Sequence, residues 1–115
     1  MRKTIWTEEF SDFYNHSSKR VREKLEYLLL MIDTVRRINA KFVKKLTGTD
    51  YYELRLSADN EYRIIVYPVD GDSFDEATEI VLLNGFVKKS TKDYKKQLTI
   101  ADNIIKRIGD ENTVK

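Results

Sequence analysis

Cysteine is absent from the 115 residues, which removes both a disulfide framework and any thiolate zinc site. Histidine is reduced to His16, so a histidine acid/base pair and an H-E-x-x-H metal motif are excluded. The few glycines form no Gly-rich phosphate loop, and no serine sits in a nucleophile elbow. No window reaches the ~18 uninterrupted apolar residues of a membrane span. The opening "MRKTIW" has no apolar stretch behind its charges, as a secretion signal would. Together these absences predict a cytoplasmic chain without a membrane partner, metal or cofactor. Aromatic residues are not lacking: five Phe, seven Tyr and one Trp supply the surface that disordered chains do not have.

With 41% hydrophobic and 35% charged residues, the length suits one domain, 1–115, around a single core. The net charge of +2 is unevenly spread. Residues 86–107 carry seven Lys/Arg against two Asp, whereas residues 69–80 carry five Asp/Glu and no base. A basic patch near one end of a short chain is what phosphate binding draws on, although lysines also keep small proteins in solution.

The spacing predicts a strand over residues 2–6, then a helix capped by Thr7 with Glu8 and Glu9 in its first turn. A second helix follows from Val21, Leu25, Leu28, Leu29, Ile32 and Val35, which repeat at intervals of three and four. The runs 51–57 and 61–67 alternate as strands around the turn residues Ala58, Asp59 and Asn60. Pro68 ends the second of them, and the acidic stretch 70–78 reads as a solvated loop. A third strand over 79–86 contains "IVLL", the pattern of a doubly covered central position. Ser90 and Asp93 mark the start of a last helix that runs to Ile108, with Gly109 as its stop. The expected architecture is α+β in the order β-α-α-β-β-β-α: a helical hairpin packed on a small antiparallel sheet, with a C-terminal helix.

Two places could carry chemistry. A three-residue turn over 58–60 sets Arg55 opposite Arg63, an unfavourable pairing of cations that calls for a neutralising partner. That partner is either an anionic ligand or an internal carboxylate, Glu53 or Glu61; a two-residue turn would separate the arginines onto different faces. The second place is "GFVKKSTKDYKK", residues 85–96. Lys88 and Lys89 follow the central strand just before a helix N-terminus whose amides are free to meet an anion. Lys92, Lys95 and Lys96 extend the positive field. Tyr94 shares a stripe with Leu98, Ala101, Ile105 and Ile108, so it is placed for burial against the sheet and also for stacking on a base.

These residues carry a resemblance. Lys45-Leu46, the E-L-R at 53–55, the Y-R at 62–63 and the G-F-V-K-K at 85–89 stand in the order and spacing of the RelE/ParE superfamily of bacterial toxins. The chain resembles in particular its phage-related, HigB-like branch, from about Trp6 to about Ile108. The resemblance implies a toxin of a type II toxin-antitoxin system that cleaves mRNA on the ribosome. It also implies a helix-turn-helix antitoxin as partner, with which the toxin forms a hetero-oligomer. Arg55, Arg63, Lys88 and Tyr94 fall where RelE-like members place catalytic groups, Lys89 lies beside them, and Lys92, Lys95 and Lys96 are left to RNA binding. Branches that work through histidine have no counterpart here.

The chemistry so implied is metal-independent. A 2'-hydroxyl attacks the adjacent phosphate, Arg55 and Arg63 stabilise the charge that develops, and a lysine crowded by other cations, Lys88 or Lys89, serves as base. Tyr94 orients the nucleotide or acts as acid, while Glu53 is either a base or the partner of Arg55. A different reading, a gyrase-poisoning toxin of the ParE type without nuclease activity, fits the same resemblance.

Overall fold

Five strands order as β1-β5-β4-β3-β2 into one sheet in a computed structural model that describes residues 2–70 and 73–113. In chain order the elements are β1 (Lys3–Trp6), α1 (Glu8–His16), α2 (Lys19–Thr34), β2 (Val43–Lys45), β3 (Tyr52–Ala58), β4 (Asn60–Pro68), β5 (Glu79–Val87) and α3 (Lys92–Thr113). The α+β plan is the one the sequence predicts, with one addition and one correction to the antiparallel sheet. A short edge strand, β2, pairs antiparallel with β3. The other edge strand, β1, runs parallel to β5, so the sheet is mixed.

Alternation along the strands sends side chains to two cores. On one face Leu54, Leu56, Ile64, Val66, Ile80 and Leu82 meet Phe10 of α1 and Val21, Leu25, Leu28 and Ile32 of α2. On the other, Ile65, Val81, Leu83 and Phe86 meet Ala101 and Ile104 of α3. The "IVLL" of β5 is therefore covered on both sides, as its unbroken apolar run requires. Thr7 caps α1 by accepting from Phe10 N at 3.1 Å, and its hydroxyl also donates to Leu82 O at 2.7 Å, tying the helix start to β5. Ser18 caps α2 in the same way, accepting from Val21 N at 3.2 Å.

At Gly85 the Phe13 ring of α1 lies directly against the sheet backbone. A Cβ at this position would stand 2.6 Å from the ring of Phe13, inside any tolerable contact. Gly85→Ala is thus expected to lose about 1–3 kcal/mol through forced displacement of that ring, read as a lower urea midpoint at constant m-value. An unchanged midpoint would show that Phe13 has room to move.

Several local expectations are corrected. α3 does not stop at Gly109 but continues to Thr113; a helical glycine costs only ~1 kcal/mol relative to alanine, too little by itself to end a docked helix. Val35 is not part of the α2 stripe but its C-cap, 43% exposed. The acidic stretch is more than a solvated loop, since Phe74 and Ala77 are buried in the first core. Asp70 clamps the stretch closed by accepting from Thr78 N at 3.0 Å, Thr78 Oγ1 at 2.6 Å and Glu79 N at 3.1 Å. Those bonds, that of the Thr78 hydroxyl first, hold Asp70 below the ordinary carboxylate range. Gly71 and Asp72 lie outside the described residues.

One basic residue passed over in the sequence organises this end of the molecule. Arg2 is 3% exposed, and its guanidinium donates to Phe74 O at 3.0 Å, Ile32 O at 2.8 Å, Val35 O at 2.6 Å, Asp75 O at 3.1 Å and the carbonyl of Arg36. Asp75 supplies the counter-charge at 3.4 Å. At the C-terminal end of α2, where carbonyls lack partners within the helix, this one side chain takes Ile32 O, the C-cap Val35 O and the carbonyl of Arg36. Across the molecule, Arg107 of α3 pairs with Glu9 of α1 and holds that carboxyl below its usual range.

Candidate functional site

The turn between β3 and β4 decides the site. Asp59 takes φ = 70°, a left-handed conformation that Asp and Asn tolerate better than most residues. The turn therefore closes over Ala58, Asp59 and Asn60, and the register runs Ser57↔Glu61 and Arg55↔Arg63. Because Leu54, Leu56 and Ile64 face the α1/α2 core, Glu53, Arg55 and Arg63 face the α3 side, with Phe86 of β5 opposite Arg63.

The opposed arginines are neutralised from within. Glu53, 3% exposed, sets Oε2 at 3.3 Å from Arg55 Nε and 3.7 Å from Arg63 Nε. Glu61 adds a contact of 3.4 Å to Arg63 Nη1, which also donates to Tyr62 O at 2.9 Å. The Ser57 hydroxyl, and secondarily Arg63, hold Glu61 below the usual carboxylate range. Even so, Arg63 Nε is buried without a hydrogen-bond partner among the described residues. Of the two arginines, Arg63 is the fixed one, its side chain 4% exposed against 32% for Arg55.

The last helix brings Tyr94 onto this cluster. Its ring packs edge-on against Phe86, with centroids 5.5 Å apart, while its hydroxyl donates to Glu53 Oε1 at 2.6 Å. Of the two roles open for Tyr94 in the sequence, the structure shows burial of the ring against the sheet, with the hydroxyl reaching Glu53. Burial, and next the bond to Glu53, push its pKa up to about 12, so at neutral pH Tyr94 is a proton donor and not a phenolate. Lys88 completes the group. Its amide continues the β5 pairing by donating to Glu61 O at 2.7 Å, and Nζ lies 5.9 Å from the Tyr94 ring centre, within cation–π range.

The other lysines of the quoted stretch stand apart. Lys89, Lys92, Lys95 and Lys96 are exposed, and none has an ion-pair partner among the described residues. One detail expected of this loop does not hold. The amides of Lys89 and Ser90 are not free to meet an anion, because Asp93 Oδ2 accepts from both, at 3.2 and 3.1 Å. This is the reciprocal half of a capping box, and two of the first helical amides, Asp93 N and Tyr94 N, are also taken, by Ser90 O and Thr91 O at 3.3 Å. His16 lies at the exposed end of α1, its Nδ1 2.8 Å from Asp12 O.

Sequence reasoning undervalued Glu53, which proves to be the hub joining Arg55, Arg63 and Tyr94. The signal was present: in E-L-R the glutamate and arginine share a strand face, and the diagonal across the hairpin from Glu53 reaches Arg63.

Comparison with known proteins follows the same lines. The family model described as "Phage derived protein Gp49-like (DUF891)" matches residues 12–106. No curated protein matches the chain. Among solved structures, the free E. coli toxin RelE in a doubly substituted form superposes with TM-score 0.61 at 23% identity, covering 91% of this chain and 95% of that one. The toxin in the intact E. coli RelBE toxin-antitoxin complex gives 0.59 at 21%, covering 78% and 100%. The RelB-RelE antitoxin-toxin complex from Methanococcus jannaschii gives 0.56 at 22%, covering 78% and 96%. The fold is that of RelE, and the chain belongs to the phage-derived Gp49-like family and, with it, to the RelE/ParE superfamily that its sequence resembles.

Proposed function

We propose that this chain is the toxin of a type II toxin-antitoxin system and an mRNA endonuclease acting on the ribosome in the cytoplasm. The observation that carries the reading is the Tyr94–Glu53–Arg55–Arg63 cluster. It is a pair of preorganised cations held by Glu53 and one neutral proton donor, adjoining exposed lysines before and within the first turns of α3. Such a set matches what phosphodiester transfer needs. The 2'-oxygen forms a bond to phosphorus, the bond to the 5'-oxygen breaks, and the products are a cyclic phosphate and a 5'-hydroxyl end. Arg63 and Arg55 meet the charge on the non-bridging oxygens, exchanging Glu53 for phosphate. Tyr94 donates its proton to the leaving 5'-oxygen. Lys88, beside the Tyr94 ring, is the candidate to take the 2'-hydroxyl proton, with Lys89 one residue further out. Lys92, Lys95 and Lys96 attract the RNA backbone. All of this chemistry is within reach of side chains, without a metal.

An antitoxin partner is part of the same proposal. Two of the similar structures are toxin-antitoxin complexes, and the resemblance to the HigB-like branch points to a helix-turn-helix protein forming a hetero-oligomer with this chain. The reading is tested by inducing the chain alone in bacteria, mapping cuts in a translated reporter mRNA and assaying gyrase cleavage complexes. Cuts confined to translated mRNA support the nuclease. Gyrase complexes with intact mRNA would replace it with the ParE-type reading.

Tyr94→Phe separates the two halves of this residue. The ring contact with Phe86 is kept and the donor to Glu53 is lost, so cutting should slow by roughly 10²-fold, within the range of a general acid, with the fold unchanged. Full activity of the phenylalanine variant would remove Tyr94 from the chemistry.

A further inference from the structure

We propose that the groove between α2 and the β3 edge beyond β2 holds the nucleotide next to the cleaved phosphate, with its base against Tyr27. The inference rests on the nuclease reading above and extends it to substrate preference. β2 pairs with β3 only as far as Leu54. Beyond that point the β3 edge meets other partners: Arg55 N donates to Phe42 O at 2.8 Å, and Lys24 Nζ donates to Ser57 O at 2.6 Å. Between this edge and α2 lies a groove of about 660 Å³, within the ~300–1,000 Å³ typical of small-molecule sites.

Three features favour RNA as the occupant. The groove is continuous with the arginine cluster, because Arg55 and Arg63 both line it. Its lining is positive, with five cations, among them Lys24 and Lys41, against two carboxylates. It also carries an aromatic ring left in solvent: Tyr27 is 68% exposed and packs on no other ring among the described residues. Cations spaced around an exposed aromatic face form the platform on which single-stranded nucleic acid stacks its bases and tracks its backbone. A protein segment with an apolar face would cover Tyr27 but leave the excess positive charge of the lining, five cations against two carboxylates, unmatched. The structure thus assigns Tyr27 to the base, and Lys24 and Lys41 to the flanking phosphates.

Stacking discriminates bases by the size of their π-face, so wild-type cuts should be enriched in purine at one position beside the cleaved bond. The test maps cuts in a defined reporter mRNA in a reconstituted translation reaction, comparing wild type, Tyr27→Ala and Lys41→Ala. Tyr27→Ala is expected to erase the enrichment and slow cutting at least about fivefold. Lys41→Ala should slow all cuts alike and leave their pattern unchanged, as loss of a phosphate contact does. Both positions are exposed, and matching melting temperatures would show that neither variant has unfolded. An unchanged cut pattern in Tyr27→Ala overturns the inference even if the rate falls, since a rate effect alone would place Tyr27 against the ribosome or a protein partner. If wild type itself makes no cuts, the nuclease reading fails and this inference with it. Wild-type cutting with a pattern indifferent to Tyr27 overturns the inference alone.

Discussion

Arg63→Lys is expected to abolish growth arrest, slowing mRNA cutting by roughly 10²–10³-fold, the cost of losing one preorganised donor to a developing oxyanion. Lysine retains the positive charge next to Glu53 and Glu61, so the buried carboxylate keeps a counter-ion and the protein keeps its fold. What it loses is the planar fork that can hold an internal carboxylate and a phosphate at once. Arg63→Ala should be inactive as well, but for two mixed reasons. The side chain is 4% exposed, and deleting it strips Glu53 of one of its two arginines, a change that costs about 3–5 kcal/mol when the remaining charge stays unpaired. Arg55 limits that loss by keeping its own contact of 3.3 Å. The lysine variant is therefore the cleaner measurement, scored by colony formation on induction and by primer extension on a reporter mRNA. Full toxicity from a folded Arg63→Lys protein would remove the guanidinium from the proposed mechanism.

Arg2→Met is expected to lower stability by about 3–5 kcal/mol and the melting temperature by ~10–20 °C, without touching the arginine cluster. Methionine keeps much of the aliphatic volume but has nothing to donate to Ile32 O, Val35 O, Phe74 O or Asp75 O. These carbonyls cap α2 and anchor the stretch before β5, and leaving several of them unsatisfied is costly. Total stability of a small domain is only ~5–15 kcal/mol, so the variant should be near the edge of folding at 37 °C. Thermal unfolding followed by circular dichroism gives the answer. A shift below about 3 °C would mean that water replaces the guanidinium at no net cost. The exposed pair Arg20–Asp59, although short at 2.7 Å, should contribute far less, because both partners are largely in solvent.

The contrast between these two arginines also shows what a sequence makes legible. Arg63 could be placed because its neighbours are local: a turn of Ala, Asp and Asn fixes the register, and the register fixes the opposing residue. The helical hairpin and the doubly covered β5 were legible for the same reason, each being written in a period of apolar residues. Arg2 carries no such local mark. Its partners lie some thirty and seventy positions away and are backbone carbonyls, which every residue possesses. β2 escaped notice because Val43, Lys44 and Lys45 are too few, and too charged, to alternate visibly. The end of α3 was misjudged by reading Gly109 as punctuation where docking decides. Tyr94 stood undecided between core and site because a single apolar stripe cannot tell where a hydroxyl at the end of a ring will reach.

The parallel pairing of β1 with β5 bears on how the molecule comes into being on the ribosome. β1 has no strand to join until residues 79–82 have been made, and Glu9 waits for Arg107. Contacts of such long sequence separation close slowly. The hairpin that carries Arg55 and Arg63 can form early, whereas Tyr94 can reach Glu53 only after the sheet is complete. Assembly of the full cluster is thereby deferred until α3 has been made and has docked on the sheet.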